Sequence, residues 1–311
     1  MKKRQLRKNK NKFKIISLFF VILLVAFMGI FFLFLGRGSQ SQAKSNKTET
    51  STTTEHASQN SDKQVIYPTI YITGSGGSVT SVDWLVDRLM PIQNVTAKKS
   101  LVMIADITKN YQLKVTGQVS KDNKYPLIEF GTGKGTDSGT VFSKGLQRAV
   151  AYLTEHYRVP WINLVGFSSG GTGAIYYMID TANSSKFPPV NKYASLDGEY
   201  NKEVKLQAGE TLADVLKRGP LVKTAMYNYI ADNYNKVSNK TEMMLLEGDF
   251  NTAQQTDNTI PWADSFSIYH LFKENGNDIT TTLYPTKMKH GQAPKNPIAV
   301  KYIKDFIYGT P

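Results

Sequence analysis

The order of apolar and polar stretches along the chain predicts three successive regions. An uncharged, almost wholly apolar run covers residues 15–35, and a stretch of Ser, Thr, Gln, Asn and charged residues follows at 36–63. From residue 64 to 311, short apolar runs alternate with longer runs that have helical periodicity. The pattern therefore predicts an apolar helix, a polar linker and one folded domain.

The alternation within residues 64–311 predicts an α/β domain with a mainly parallel sheet and helices on both faces. The segments 101–108 and 111–119 are expected to form a strand pair. Further strands are expected at 65–72, 125–130, around 162–166, 192–196, 243–248 and 279–285, and helices at 81–90, 141–157, 259–272 and 299–308. Residues 197–240 break the alternation, and we expect part of this stretch to form a small lid.

The apolar run at 15–35 is long enough to cross a bilayer as a helix, which takes about 20 residues. Eight Lys and Arg residues and no acid lie in residues 1–14, so the positive-inside rule predicts a cytoplasmic tail and an extracytoplasmic domain. Small residues at Ser41-Gln42-Ala43 leave a cleaved signal sequence as the alternative. Because the run is longer than a typical signal core, the pattern favours a single-pass membrane anchor. The polar linker at 36–63 is expected to be a flexible tether.

The net charge of +13 does not indicate a nucleic-acid partner. Without the eight basic residues of the N-terminal tail, 30 basic residues face 25 acidic ones, which is an ordinary balance for a domain of this size. The sequence contains no basic stripe interleaved with aromatic residues. It also contains no cysteine, which excludes disulfides and a thiol nucleophile.

The segment Trp161–Met178 carries the clearest chemical signal. An apolar run meets Gly166-Phe167-Ser168-Ser169-Gly170, and a helical apolar run follows. In a strand–turn–helix of the form G-x-S-x-G, the turn is so tight that side chains at the glycine positions would collide with its surroundings, and the serine is exposed above the sheet. Ser168 is thus the candidate nucleophile, and it needs a base and an acid from elsewhere in the chain.

Two histidines follow Ser168, and their contexts differ. His290 lies in a loop after the last predicted strand, whereas His270 lies inside a predicted helix, where a histidine is more often structural. For the acid, Asp249 directly follows the strand at 243–248, Asp257 lies in the next loop and Asp264 should be on a helix. His290 is the favoured base and Asp257 the favoured acid, with Asp249 as the alternative.

Two glycine-rich stretches invite further assignments. Thr73-Gly74-Ser75-Gly76-Gly77 follows the first strand, and we expect the Ser75 amide to form an oxyanion hole with that of Ser169. The stretch Gly131–Thr136 is close to a phosphate loop, but Lys134 is followed by glycine instead of Ser or Thr. We therefore expect a loop beside the pocket and predict no cofactor and no metal.

Four segments, TGSGG, VGFSSGG, TDNTIPWADS and HGQAPKNP, together resemble the α/β-hydrolase superfamily. The resemblance is greatest to the cell-surface, membrane-anchored hydrolases of Gram-positive bacteria, and it covers residues 65–308. It implies Ser168 as nucleophile, Asp257 as acid, His290 as base and an esterase-like activity. Members more often carry histidine at the positions of Thr73 and Phe167, and both departures could alter the pocket.

The sequence therefore predicts an extracytoplasmic serine hydrolase that acts on carboxylic esters, either small molecules or esters of the cell envelope. The alternative is a catalytically inactive, surface-tethered binding protein on the same fold. The sequence does not indicate an oligomeric state.

Overall fold

The computed structural model describes residues 63–90 and 99–309, and every structural statement below concerns them. The predicted tail (1–14), the apolar segment (15–35) and all of the linker except Lys63 lie outside these ranges, so their predicted roles stay predictions. Within the described ranges, no helix has both the length and the apolar character needed to cross a bilayer.

The described strands form one eight-stranded sheet in the order β3-β2-β4-β1-β5-β6-β7-β8. The pair β2/β3 is antiparallel and the other neighbouring pairs are parallel, which confirms the predicted mainly parallel sheet and its strand pair. The strands are β1 (Thr69–Ile72), β2 (Lys99–Asp106), β3 (Gln112–Gly117), β4 (Leu127–Gly131), β5 (Ile162–Phe167), β6 (Val190–Leu196), β7 (Glu242–Asp249) and β8 (Ile279–Pro285).

Four of the described α-helices have ten or more residues and pack on the sheet, and the other described helices are shorter. The α-helices are α1 (Thr80–Leu89), α2 (Gly139–His156), α3 (Ser169–Thr181), α4 (Leu212–Arg218), α5 (Ala225–Ala231), α6 (Trp262–Ser265), α7 (Tyr269–Glu274) and α8 (Pro297–Tyr308). Two 3-10 helices cover Tyr234–Lys236 and His290–Lys295.

Buried side chains form two apolar layers, one on each face of the sheet. Successive residues of a strand point to opposite faces, and β1 shows this directly, since Ile70 and Ile72 belong to one layer and Tyr71 to the other. Helices α2 and α3 contribute to the first layer, and α1 and α8 to the second. The central strands are thus apolar on both faces, as expected for a parallel sheet covered by helices.

The predicted continuous helix at 259–272 is wrong. The structure has two short helices there, α6 and α7, separated by the buried residues 266–268. No helix begins at Thr259 because Asn258 has a φ of 87°, the proline at 261 disfavours a helical conformation at Ile260, and Pro261 itself is extended with a ψ of 143°. Pro261 then occupies the N-cap of α6.

The stretch 197–240 contains α4, α5 and the first 3-10 helix. Helix α5 lies against α3, where the Tyr176 hydroxyl donates to the Met226 carbonyl at 3.4 Å. Leu221 and Val222, between α4 and α5, are 57% and 44% exposed. The predicted lid role of this stretch remains a prediction.

Candidate active site

Ser168 lies at the sharp turn between β5 and α3. Its φ of 54° and ψ of −131° fall in a region that non-glycine residues rarely adopt. A Cβ added at Gly166 would come within 2.6 Å of the Gly171 backbone, and one at Gly170 within 2.4 Å of the Thr73 carbonyl. The glycines of the G-x-S-x-G pattern are therefore required by backbone contacts, for the reason that the sequence suggested.

Three side chains from separate parts of the chain are hydrogen-bonded in series. His290 Nε2 lies 2.9 Å from Ser168 Oγ, and His290 Nδ1 is bonded to the Asp257 carboxylate. The strand ends explain this meeting, because β5 leads into Ser168 while Asp257 and His290 follow β7 and β8 at the same edge of the sheet. The imidazole also stacks on Phe167, with ring centroids 5.2 Å apart.

Asp257 is held firmly from several sides. One carboxylate oxygen accepts backbone N–H groups from Thr259 (2.8 Å) and Ile260 (2.7 Å), while the other faces His290. The His290 backbone N–H in turn donates to the Asp257 carbonyl at 3.0 Å. Asp257 is 1% exposed, so its carboxylate meets the imidazole in a nearly dry environment.

The other candidates from the sequence lie in different surroundings. Asp249 ends β7 and accepts a hydrogen bond from Thr252. His270, on α7, bonds to the Tyr227 hydroxyl and the Ser267 carbonyl, and burial lowers its pKa. Asp264 is fully buried and accepts backbone N–H groups from Tyr200, Asn201 and Glu203. These bonds hold the backbone at 200–203 in place. Burial raises the pKa of Asp264 to about 7.

A cavity of about 440 Å³ opens onto Ser168 and His290. Ser75 and Ser169, the predicted oxyanion-hole residues, both line it. Ser169 is the first residue of α3, so its backbone N–H has no partner within the helix. Thr136, at the end of the second glycine stretch, lines the same cavity, as expected for a loop beside the pocket.

The cavity wall is polar and acidic, a feature that the sequence did not reveal. Asp137, Glu199 and Glu203 line it, and Ile260 is the one apolar residue among its lining. Lys202 forms an ion pair with Asp137 at 2.5 Å. Glu199 accepts a hydrogen bond from the Ser169 hydroxyl at 3.2 Å, and burial raises its pKa.

Two further buried carboxyl groups lie beside Asp257. Asp197 follows β6 and Glu247 lies on β7, and both are almost completely buried. Burial first, and neighbouring carboxylates second, raise the pKa of each well above its usual range. Sequence reasoning took Asp197 only as the start of the irregular stretch, although its place at the end of a parallel strand could have marked it.

Asp197, Asp257 and His290 offer donor atoms within 4.8 Å of one another, a set that could hold a metal ion. Both nitrogens of His290 already have protein partners, Asp257 at Nδ1 and Ser168 at Nε2. A metal bound at Nδ1 would replace the hydrogen bond to Asp257. The arrangement therefore suits proton transfer between the serine and the histidine.

Phe167 and Thr73 stand where members of the family that the sequence resembles more often carry histidine. Phe167 places an aromatic ring against the His290 imidazole. Thr73 is completely buried, and its hydroxyl has no hydrogen-bond partner among the described residues. Ser168, Asp257 and His290 themselves are unchanged, but Phe167 contacts the imidazole of the base.

Two solved structures of low sequence identity share this fold. The product of gene lin2722 from Listeria innocua has 23% identity and a TM-score of 0.70, covering 79% of this chain and 95% of its own. A protein of Lactobacillus plantarum WCFS1, provisionally assigned as a cell surface hydrolase, has 17% identity and a TM-score of 0.56, covering 78% and 90%. The comparison with curated proteins gives no match.

A family model described as "Alpha/beta hydrolase of unknown function (DUF915)" matches residues 56–310. The match includes the whole described sheet, the serine turn, Asp257 and His290. This chain belongs to that family of α/β hydrolases.

Proposed function

We propose that this protein is an extracytoplasmic serine hydrolase that cleaves carboxylic esters. The observation that carries the proposal is the series of hydrogen bonds from Ser168 through His290 to Asp257, next to an open cavity. A serine is a weak nucleophile by itself, and a histidine within hydrogen-bond distance supplies the base that it needs. The membership of an α/β-hydrolase family supports hydrolysis as the reaction class.

In the proposed reaction, Ser168 Oγ attacks the ester carbonyl and His290 Nε2 takes its proton. The carbonyl oxygen becomes negatively charged, and the backbone amides of Ser75 and Ser169 donate to it. Collapse of the tetrahedral intermediate breaks the bond to the alcohol, which leaves with the proton from His290. Asp257 orients the imidazole and stabilises its charged form without taking the proton.

A water molecule completes the cycle. His290 removes one proton from the water as its oxygen attacks the acyl-enzyme carbonyl. The second intermediate then breaks the bond to Ser168, which recovers its proton from His290, and the carboxylic acid is released. The proposed substrate is a small-molecule ester or an ester of the cell envelope.

An activity-based probe tests the proposal. The full-length chain, solubilised in detergent, is treated with a fluorophosphonate probe and assayed on 4-nitrophenyl acetate. We expect labelling and turnover by the natural sequence and neither by Ser168→Ala. If the folded natural sequence is not labelled and does not turn over the ester, the protein is better regarded as a binding protein on a hydrolase fold.

The location outside the cytoplasm is supported by the basic tail at 1–14 and the apolar run at 15–35. The cell-surface assignment of the Lactobacillus plantarum protein supports it further. We propose one membrane-spanning helix, with the hydrolase domain outside.

The lack of cysteine in the sequence makes the location simple to test. Ser51→Cys, in the linker, should react with a membrane-impermeant maleimide on intact cells. Asn9→Cys, in the tail, should react only after lysis. Labelling of both variants, or of neither, on intact cells would contradict the proposed orientation. Loss of the first residues up to Ala43 from the mature protein would show cleavage instead of anchoring.

A further inference from the structure

Asp197 occupies a strained and tightly held position next to the proposed catalytic residues. It follows β6, the neighbour of both β5 and β7 in the sheet, and has a φ of 48°. It is 1% exposed. Its Oδ1 accepts the Gly248 backbone N–H at 3.0 Å, and the Tyr284 hydroxyl lies 3.1 Å from each carboxyl oxygen. Hydrogen bonds from Gly248 on β7 and Tyr284 on β8 thus fix the carboxyl group in one orientation.

Asp197 lies close to both the acid and the base but does not hydrogen-bond to the base. Its Oδ2 lies 4.0 Å from His290 Nδ1, beyond hydrogen-bond distance, whereas Asp257 is bonded to that nitrogen directly. The carboxyl oxygens of Asp197 and Asp257 lie within 4.8 Å of each other. We propose that Asp197 is a positioning residue, whose carboxyl group donates a hydrogen bond to Asp257 and holds that acid against His290. The proposal rests on the proposed serine hydrolase function.

The surroundings of Asp197 favour its neutral, protonated form. Glu247 on β7, Asp264 on α6 and Asp257 bring three more carboxyl groups into the same buried region, and the other groups facing it are His290 and the Tyr284 hydroxyl. Ionised groups at all these positions would repel one another with little water to screen them. Burial, followed by the charge of Asp257, accordingly raises the pKa of Asp197.

Among the described groups around a protonated Asp197, the Asp257 carboxylate is the charged and therefore the stronger acceptor for its proton. Gly248 and Tyr284 donate to its oxygens, so the hydroxyl of the carboxyl group is left for the Asp257 carboxylate. The pair then carries one negative charge, which suffices for the imidazolium that forms during catalysis. Asp197 acts through Asp257 and does not touch the substrate.

Replacing Asp197 by asparagine tests whether the residue donates a hydrogen bond to Asp257 or acts as a second, charged carboxylate. In Asp197→Asn, the amide oxygen can accept from Gly248 and Tyr284 while the NH₂ group donates to Asp257. Asp197→Gly removes the side chain. Both residues tolerate a positive φ, so neither variant adds backbone strain. Both are made in the full-length chain and compared on 4-nitrophenyl acetate.

We expect Asp197→Asn to keep kcat within about threefold and Asp197→Gly to lose about ten- to hundredfold, as for a lost hydrogen bond to a charged group. A loss in Asp197→Asn as large as that in Asp197→Gly would show that Asp197 works as a carboxylate and would overturn the proposal. Natural kcat in Asp197→Gly would overturn it as well. If Asp197→Gly fails to fold, the Asp197→Asn result decides alone.

A spectroscopic readout is independent of turnover. The proton on His290 Nδ1, bonded to Asp257, should give a low-field proton NMR signal that persists in Asp197→Asn and shifts or broadens in Asp197→Gly. A signal that is the same in all three proteins would contradict positioning by Asp197. If the natural sequence shows the signal but neither reacts with fluorophosphonate nor cleaves the ester, the proposed function fails and the positioning of Asp257 by Asp197 still stands.

Discussion

Ser168 adopts its strained conformation because its neighbours leave no alternative. Its backbone N–H donates to the Leu196 carbonyl at 3.0 Å, and the space beside Gly170 is so small that a Cβ there would lie 2.4 Å from the Thr73 carbonyl. A backbone of this kind costs of order 1–3 kcal/mol, and the packing of β5 and α3 around it offsets that cost. The result is a hydroxyl that is held within reach of His290.

The Asp257 carboxylate both accepts backbone N–H groups and orients His290, and replacing it by asparagine should separate these two roles. In Asp257→Asn, the amide oxygen can still accept from Thr259 and Ile260, so we expect the fold to remain. The other side of the amide would present an N–H to His290 Nδ1 and favour the wrong tautomer of the imidazole. By the precedent of the serine-protease triad, kcat should fall by about 10⁴-fold. Steady-state kinetics on 4-nitrophenyl acetate measures this.

Asp249→Asn is the matched control for that prediction. Asp249 is the last residue of β7, and its side chain bonds to Thr252 and not to His290. Its kcat should stay near that of the natural sequence. If Asp249→Asn loses activity and Asp257→Asn does not, the assignment of the acid is wrong.

The acidic residues of the cavity should disfavour negatively charged substrates. Asp137, Glu199 and Glu203 line it, and one of the three has a lysine partner. Two like charges about 4 Å apart repel by about 1 kcal/mol even in bulk water. We therefore expect kcat/KM for the 4-nitrophenyl monoester of succinate to be about tenfold below that for 4-nitrophenyl butyrate.

Glu203→Gln should bring the kcat/KM values of the two esters closer together, because it removes one exposed charge from the cavity wall. Glu155→Gln, on the exposed side of α2, is the control and should leave the ratio unchanged. Equal kcat/KM values for the two esters in the natural sequence would show that the cavity carboxylates do not face the acyl chain.

At the scale of elements, the turn between β5 and α3 tolerates no additional atom at Gly170. In Gly170→Ala, the new Cβ would lie 2.4 Å from the Thr73 carbonyl and 2.8 Å from the Ile72 carbonyl. Because these are backbone atoms of β1 and the residue after it, the sheet itself must shift. Overpacking of this kind costs about 1–3 kcal/mol, so chemical denaturation should show a lower free energy of unfolding.

Gly76→Ala provides the comparison, since a Cβ at Gly76 would meet nothing within 4 Å. Its free energy of unfolding should match that of the natural sequence. Equal stability of Gly170→Ala and Gly76→Ala would mean that α3 can move away from β1 without cost.

The strands and long helices were predictable because the apolar periodicity of β1 or α2 reports local burial. The continuous helix expected at 259–272 was not predictable in its true form, because its apolar periodicity hides the extended backbone at Pro261 and the positive φ of Asn258, which delay the helix to Trp262. The acidic lining of the cavity could not be predicted for a related reason, since Asp137 and Glu199 are distant in sequence and come together only in the tertiary fold.

For the whole molecule, the sheet topology explains how distant residues assemble. Strands β5, β6, β7 and β8 are neighbours in that order, and Ser168, Asp197, Asp257 and His290 follow them in the same order. The carboxyl ends of parallel strands meet at one edge, which is where α/β folds bind ligands. Crowding acidic groups at this edge has a consequence for stability.

Asp197, Glu247 and Asp264 should make the fold less stable as the pH rises. Burial raises the pKa of each, to about 7 for Asp264 and well above the usual range for the other two. The native state therefore keeps protons that the unfolded chain has lost above about pH 4. Where the native state binds more protons, the free energy of unfolding falls with rising pH. His270 acts in the opposite direction because its pKa is lowered, but its effect ends near its ordinary pKa of about 6.5.

Urea denaturation between pH 7 and 9 lies above the effect of His270, and we expect a steady fall in the free energy of unfolding, to which buried tyrosines of raised pKa add near pH 9. Glu247→Gln should flatten this slope, since it replaces one of the buried acids whose raised pKa produces it. Glu242→Gln, on the same strand but half-exposed beside Lys192, should leave the slope unchanged. A free energy of unfolding that rises from pH 7 to 9 would show that these carboxyl groups are ionised in the native state at little cost, and it would also remove the reason for a protonated Asp197.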